Sequence, residues 1–409
     1  MASIRSIFAL LLLFVLPPLF AQEEIKGAPA EPTDDAEVRA QISIVEKLMP
    51  SLPDRGAALY FLAKAKQHLG EMREALALLK ECAALKEGFD PSGDSAFLAL
   101  KGSKEFDELA ERIHRDFPVV AEAHQAFLTE EKDLVPEGLA YDPARNLFYL
   151  GSLNRRKIVK VDPVSRVSDF VPSGRYNLLP VVGIRLDPND GTVWADSFED
   201  SGRTELLHFD ASGDLLGRFA PQDPGKHGLN DLVVRKNGEV IATDSLSNQV
   251  FRFLPPAKTF VPIGIHRALF YPNGITLADD GGMLYVADSL GVIAVDLAGG
   301  ASRDVNPGPH STLAGIDGLY WHNGSLISVQ NGIGSARIAA FRLSKDGLRV
   351  TQTTVLENRT AFTVLPTTGA LRGSDFYFIA NSQVDNLNGD HIMDITKLEP
   401  VRIAVVHVP

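Results

Sequence analysis

Side-chain oxygens recur along this chain at one phase of a repeat. Glu137-Gly-Leu-Ala-Tyr141 runs to Phe148-Tyr-Leu-Gly-Ser152, and Asn230-Asp-Leu-Val-Val234 runs to Val240-Ile-Ala-Thr-Asp-Ser245. Asn273-Gly-Ile-Thr-Leu277 runs to Leu284-Tyr-Val-Ala-Asp-Ser289, and Asp317-Gly-Leu-Tyr-Trp321 runs to Leu326-Ile-Ser-Val-Gln-Asn331. A diverged copy ends at Trp194-Ala-Asp-Ser197, and another at Phe376-Tyr-Phe-Ile-Ala-Asn-Ser382. Counting back from these two endings puts Val182 and Thr367 at the same phase as Glu137, Asn230, Asn273 and Asp317. The set offers two carboxylates, two amides, a hydroxyl and one apolar group.

Two carboxylates brought together in a buried place repel, and one tends to stay protonated. A divalent cation resolves that conflict. All-oxygen ligation selects a hard ion, and calcium accepts six to eight irregular oxygen ligands. Four protein ligands leave positions for water and substrate, so an ion there can polarise a carbonyl or phosphoryl oxygen. Taken singly, Pro272-Asn273-Gly274 and Asp317-Gly318 are ordinary turn signals. Four oxygen donors at one phase favour convergence instead.

Other candidates rank below this set. His227 lies three residues before Asn230, where it can reach the same place to bind substrate or sit as a loop histidine. Asp196, Asp244 and Asp288 form a second in-phase set, which reads as hydrogen bonding between neighbouring repeats. The lone cysteine, Cys82, sits on an apolar helical stripe and reads as a core residue. No Gly-Xaa-Ser-Xaa-Gly elbow, phosphate-binding loop or dinucleotide fingerprint is present.

A radial array must position these residues. From about residue 126 the chain is made of short β runs separated by Gly, Pro, Asn and Asp. Asp190-Gly191, Asn237-Gly238, Asp280-Gly281 and Asn323-Gly324 mark two-residue hairpins. The period of about 45 residues is that of four-stranded propeller blades. Six phases predict a six-bladed β-propeller over 126–409. The run Val401 to Val408 supplies a strand of the last blade, and Ala126 to Thr129 completes that blade from the other end of the chain.

Before the propeller, residues 35–117 read as a small α-helical, tetratricopeptide-like segment. Its carriers are Leu59-Tyr-Phe-Leu-Ala63 through Leu69-Gly-Glu-Met-Arg-Glu-Ala-Leu76, with a degenerate helix pair around Phe97 and Phe106. One good repeat favours a helical cap over a peptide-binding groove. A protein partner docking on this segment is the alternative expectation. Residues 22–34 read as a disordered linker. Residues 1–21 read as a cleaved signal peptide: Arg5, an apolar run from Ile7 to Phe20, then Ala21-Gln22. The expected location is secreted or periplasmic, with no stable membrane span after cleavage.

The 409 residues carry 52 acidic against 40 basic side chains, a formal net charge of −12, with no basic block. Nucleic-acid binding is therefore excluded as an expectation, since nothing would neutralise phosphates. One cysteine rules out an internal disulfide and a cysteine-based zinc site.

Several of these phrases resemble the senescence marker protein/gluconolactonase family of six-bladed propellers. The carriers are Pro136-Glu-Gly138, Leu229-Asn-Asp231, Tyr271-Pro-Asn-Gly-Ile275 with Leu284-Tyr-Val-Ala-Asp-Ser289, and Gly315-Ile-Asp-Gly-Leu319. The resemblance covers roughly 126–409. It implies a calcium ion held by Glu137, Asn273, Asp317 and Asn230. It also implies hydrolysis of a small-molecule lactone, ester or phosphotriester, with Asp317 as general base or nucleophile. Sugar-lactonases of the family typically place an arginine two residues before the counterpart of Asn230, where this chain has Gly228. A non-catalytic ligand- or protein-binding propeller is the rival reading.

Overall fold

The computed structural model describes residues 34–389 and 391–409. The signal-peptide reading and nearly all of the linker reading lie outside the described residues. Six antiparallel sheets form a β-propeller, and each sheet's first strand lies innermost. Blade 1 runs from Pro136–Asp142 outward to Val167–Val171, blade 2 from Val181–Leu186 to Leu215–Phe219, and blade 3 from Leu229–Val234 to Thr259–Pro262. Blade 4 runs from Ile275–Leu277 to Ser302–Asp304, and blade 5 from Ile316–His322 to Val350–Asn358.

Blade 6 closes the ring. Its strands Gly369–Arg372, Asp375–Ile379 and Val401–His407 are joined on the outside by His124–Thr129 from the other end of the propeller. Phe127 pairs with Ile403 and Thr129 with Val401. The mixed blade leaves no free seam between the first and last repeats. The short strand Val120–Ala121 adds a fifth member to blade 5.

Blades stack through apolar faces, as alternation along strands requires. Ala140, Tyr149 and Ile158 of blade 1, for example, pack with Ile184, Ala195 and Leu207 of blade 2. The hairpins are only partly as expected. Asn323-Gly324 is a two-residue turn, with His322 paired to Ser325 and φ of +46° and +77° at the turn residues. The loops at Gly191, Gly238 and Gly281 are longer; only their glycine takes positive φ, while a bond such as Gly238 N–H to Arg235 O closes a tighter turn inside the loop. A type I turn followed by a left-handed glycine accommodates the strand twist equally well.

The helical segment contains α1 (Asp34–Leu48), α2 (Arg55–His68), α3 (Met72–Leu85) and α4 (Lys104–Asp116). α2 and α3 form the expected hairpin, with Gly70 at φ +75° between them. The stretch around Phe97 is a 3₁₀ helix (Ser95–Leu100), not an α-helix. Asp94 caps it, and Lys101 leaves it in an extended conformation. α2 is buried on all sides from Gly56 to Ala65, as a helix enclosed by neighbours must be. One of its faces packs with Phe270 and Leu290, another with Ala314 and Ile333. Asp54 fastens its start: it caps Ala57 N at 2.9 Å and accepts from Thr312 Oγ1 at 2.7 Å and Leu313 N at 3.1 Å. The segment therefore sits on blades 4 and 5 as a cap. Cys82 is buried within it, its thiol pushed well above the usual value by burial and by Glu87 and Asp54.

Candidate active site at the channel mouth

The repeat phase is built by a backbone irregularity. In blades 1, 2, 3 and 5 the pairing of the innermost strand shifts at the phase residue: between Pro136 and Leu139, Val181 and Ile184, Leu229 and Leu232, and Ile316 and Gly318. A bulge re-aims the side chain at that point. The next residue is then pressed against the neighbouring blade. A Cβ on Gly138 would lie 2.0 Å from Val182 O, one on Gly183 2.6 Å from Asn230 O, and one on Gly274 2.6 Å from Asp317 O. Glycine permits this approach. The contacts also place the phase residues next to one another around the axis. Thr367 and Thr368 close the circle by donating to Glu137 O.

The structure brings Glu137, Asn273 and Asp317 together. Asn273 Nδ2 donates to Asp317 Oδ1 at 2.9 Å, and Asn331 Nδ2 donates to Asp317 Oδ2 at 2.6 Å. Both carboxylates are buried. Burial pushes the Asp317 carboxyl up to about 8, against the pull of the Asn331 and Asn273 amides and with a further push from Asp231. Glu137 is pushed well above the usual range by burial, then by the charges of Asp317 and Asp231. Neither Glu137 oxygen has a hydrogen-bond partner; the nearby Thr367 hydroxyl opposes the rise, but by less than burial or either charge contributes to it. Asn230 is buried alongside, its Nδ2 donating to Ser245 Oγ at 2.9 Å. An amide that donates through nitrogen keeps its carbonyl oxygen for a second partner.

This donor set fits a hard cation. A buried carboxylate with two unpartnered oxygens is costly, and Glu137 is one. Among the described residues no group of three or more His, Cys, Asp or Glu side chains is arranged to hold a metal. An ion at this mouth would therefore depend on amide oxygens as well as on the two acids.

His227 is placed differently. Its Nδ1 lies 2.6 Å from Asp244 Oδ2, and its Nε2 faces Asp223. Among the described residues no hydrogen bond or ion pair joins it to Glu137 or Asp317. Val182 is fully buried in an apolar cluster beside the mouth. The second acid set is structural only in part. Asp244 accepts from Gly228 N and Ser247 N besides His227. Asp288 accepts two bonds from Arg267, at 2.6 and 3.0 Å, and others from Phe270 N and Leu290 N. These partners belong to the chain entering the same blade or to its own turn. Bonds between blades come from neighbouring hydroxyls: Ser245 Oγ to Pro272 O at 2.7 Å, Thr243 Oγ1 to Asn273 O at 2.8 Å and Ser382 Oγ to Pro136 O at 2.6 Å. Asp196 departs from the expectation entirely, since neither oxygen has a partner and burial raises its carboxyl well above the usual value.

Three residues at the site are not singled out by the sequence reading. Asn331 holds Asp317 and also reaches Pro366 O at 2.9 Å. Its signal is a break in the repeat: the same place in the other five blades is Ser152, Ser197, Ser245, Ser289 and Ser382. Asp231 stands where blades 1, 2, 4 and 5 have glycine, and it is held by Arg185 at 2.9 Å. Tyr271 has φ +53°, a strained region for a bulky side chain, and its buried hydroxyl has no partner. Burial raises the phenol, followed by the charges of Asp317, Glu137 and Asp200. Its neighbour Phe270 is clasped edge-on by Phe61 of α2, with ring centroids 5.3 Å apart.

Several solved structures align with about two thirds of the chain. A gluconolactonase from Xanthomonas campestris aligns with a TM-score of 0.46 at 16% identity, over 67% of this chain and 86% of its own. A luciferin-regenerating enzyme aligns at 0.46 and 15%, over 68% and 94%. Virginiamycin B lyase from Staphylococcus aureus aligns at 0.47 and 16%, over 63% and 81%. At these identities and scores the alignments say nothing of what this chain does. No family model matches the chain, and no curated protein matches it.

Proposed function

We propose that the chain is a calcium-dependent hydrolase that opens a lactone, ester or phosphotriester at the channel mouth. The observation that carries the reading is the buried pair Glu137 and Asp317, raised together and flanked by two amides, with both Glu137 oxygens unpartnered. Glu137, Asn230, Asn273 and Asp317 would hold the ion. When bound, it supplies a positive charge that polarises the carbonyl or phosphoryl oxygen of the substrate.

The chain's own groups do the rest. Asn273 and Asn331 fix both oxygens of Asp317, so its carboxylate keeps one orientation. Asp317 takes a proton from the attacking water at a carboxylate oxygen and returns it to the oxygen that leaves. The Tyr271 O–H stays a donor and stabilises negative charge developing on the substrate. The acyl–oxygen or phosphoryl–oxygen bond breaks as the water oxygen bonds. An exported location suits a site of this type, since extracellular calcium modules work in roughly the 10⁻⁴–10⁻³ M range. No described helix is long and apolar enough to cross a membrane.

The test is turnover of aryl esters and lactones with and without a chelator. Loss of turnover on chelation, return on adding calcium, and inactivity of Asp317→Asn are the expected results. Turnover indifferent to both treatments would rule the reading out.

A further inference from the structure

Two of the blades that carry ring residues are gripped by the helical segment just beside those residues. On blade 4 the grip is on Phe270, three residues before Asn273. Phe61 of α2 meets its ring edge-on, centroids 5.3 Å apart, and Phe61 and Leu62 share a buried cluster with Phe270 and Leu290. Phe270 is also tied to its own blade. Its N–H donates to Asp288 Oδ2 at 3.1 Å, and its carbonyl accepts from Ser289 N at 2.9 Å. The aromatic pair therefore fixes the chain that leads into Tyr271 and Asn273.

On blade 5, both segments that flank the Asp317–Asn331 bond are held. Before Asp317, Asp54 accepts from Thr312 Oγ1 and Leu313 N, and Ala314 is buried in the core of the helical segment. After Asn331, Ile333 is buried in the same cluster, and its carbonyl accepts from Asp90 N at 2.9 Å. Glycines let the backbones meet here. A Cβ on Gly93 would lie 1.9 Å from Gly334 O, and one on Gly334 2.0 Å from Asp90 O. The two gripped segments are bonded to each other as well, Gly332 N donating to Gly315 O at 3.1 Å. By contrast, Val135 and Leu229, which lead into Glu137 and Asn230, pack in clusters that contain no residue of α1–α4.

We propose that the helical segment is a positioning clamp for the ion site: seated on blades 4 and 5, it holds Asn273, Asp317 and Asn331 in place, so that its seating and calcium binding strengthen each other. The calcium part rests on the hydrolase reading; the clamp itself rests on the contacts. Loops at strand ends are among the segments that open most readily, and calcium affinity depends on site rigidity as well as ligand charge. Phe61 and Asp54 are positioning residues. Phe61 acts through Phe270, and Asp54 acts through Thr312 and Leu313. Coupling of this kind is reciprocal, so bound calcium protects α2 in turn.

The experiment uses the full chain. Leu207→Ala is the control, since it opens a cavity in the core of blade 2, whose phase residue Val182 offers no oxygen. In calorimetry at pH 8, Phe61→Ala and Asp54→Ala should each raise the calcium Kd about tenfold, whereas Phe61→Leu and Leu207→Ala should stay within about threefold of wild type. Hydrogen exchange on the calcium-free chain is read at 270–277 and 312–319, with 137–142 and 229–234 as internal references. Phe61→Ala should speed exchange selectively at 270–277, and Asp54→Ala at 312–319; calcium should slow exchange across α2 in the wild type. Should Phe61→Ala fail to fold, Asp54→Ala carries the same comparison. Unchanged exchange at the gripped segments, or equal acceleration at the references, overturns the clamp. Wild-type calcium binding that none of these variants weakens overturns the coupling and leaves the calcium reading standing. If the wild type takes up no calcium, selective exchange keeps the clamp and removes the calcium reading.

Discussion

The propeller buries acids in two places near the same mouth, and it treats them in opposite ways. Asp288 is met by Arg267 through two bonds and by two backbone amides, and Asp244 is met by His227 and two backbone amides. Glu137 has no partner at either oxygen. Asp317 has two, and both are neutral amides. A buried acid whose counter-groups are supplied by the fold serves the fold. A buried acid left to compete with a second acid is held for something that arrives from outside. Asp196 complicates the contrast: it shares a repeat phase with Asp244 and Asp288 yet lacks a partner.

The comparison can be broken most severely at its structural end. Arg267→Met should cost about 3–5 kcal/mol, because it leaves Asp288 buried without its counter-charge. Urea unfolding measures this, and a loss under about 1 kcal/mol would mean that the pairing is not structural. The opposite sign is expected at the other end. Glu137→Gln should stabilise the calcium-free protein at pH 8 by at least about 1 kcal/mol, since it removes a buried acid whose raised carboxyl opposes folding above the ordinary carboxyl range, while abolishing calcium-dependent turnover.

The pH dependence follows the same sign. The Glu137 and Asp317 carboxyls are raised in the folded state. Their contribution is therefore full below the ordinary carboxyl values and is lost as pH rises, through about 8 for Asp317. The calcium-free protein should melt lower at pH 8 than at pH 5, and calcium should raise the melting temperature more at pH 8. Scanning calorimetry at both pH values checks this. A smaller effect is expected where the cap meets blade 5. Burial pushes Asp54 up to about 6, so it too loses its contribution as pH rises through that value. Asp54→Asn should keep the helix cap and flatten the stability profile between about pH 4 and 6, whereas Asp54→Ala should cost about 1–2 kcal/mol throughout.

The sequence makes the ring legible because a propeller repeats its geometry, so one side-chain type at one phase is a statement about one place in space. Glu137, Asn273 and Asp317 meet for that reason, and the blade 6 seam follows from the extended runs at the two ends of the propeller. What escapes is set by contacts rather than by periodicity. The expectation for Asp196, Asp244 and Asp288 fails in its partners, since strand geometry turns the adjacent Ser and Thr hydroxyls toward the next blade instead. Asn331, Asp231 and Tyr271 are visible only as departures from the repeat, or as a backbone conformation that no composition rule reports. The seating of α2 on blades 4 and 5 is likewise decided by tertiary packing, although its run from Gly56 to Ala65 of small and apolar residues, broken only by Lys64, is consistent with enclosure.

Calcium titrated calorimetrically into the wild-type protein and into Glu137→Gln at pH 8 tests the account most directly. One ion per chain for the wild type, with binding weakened at least 100-fold in the variant, is the predicted result. Absence of binding to the wild type, or equal binding by both proteins, would contradict it.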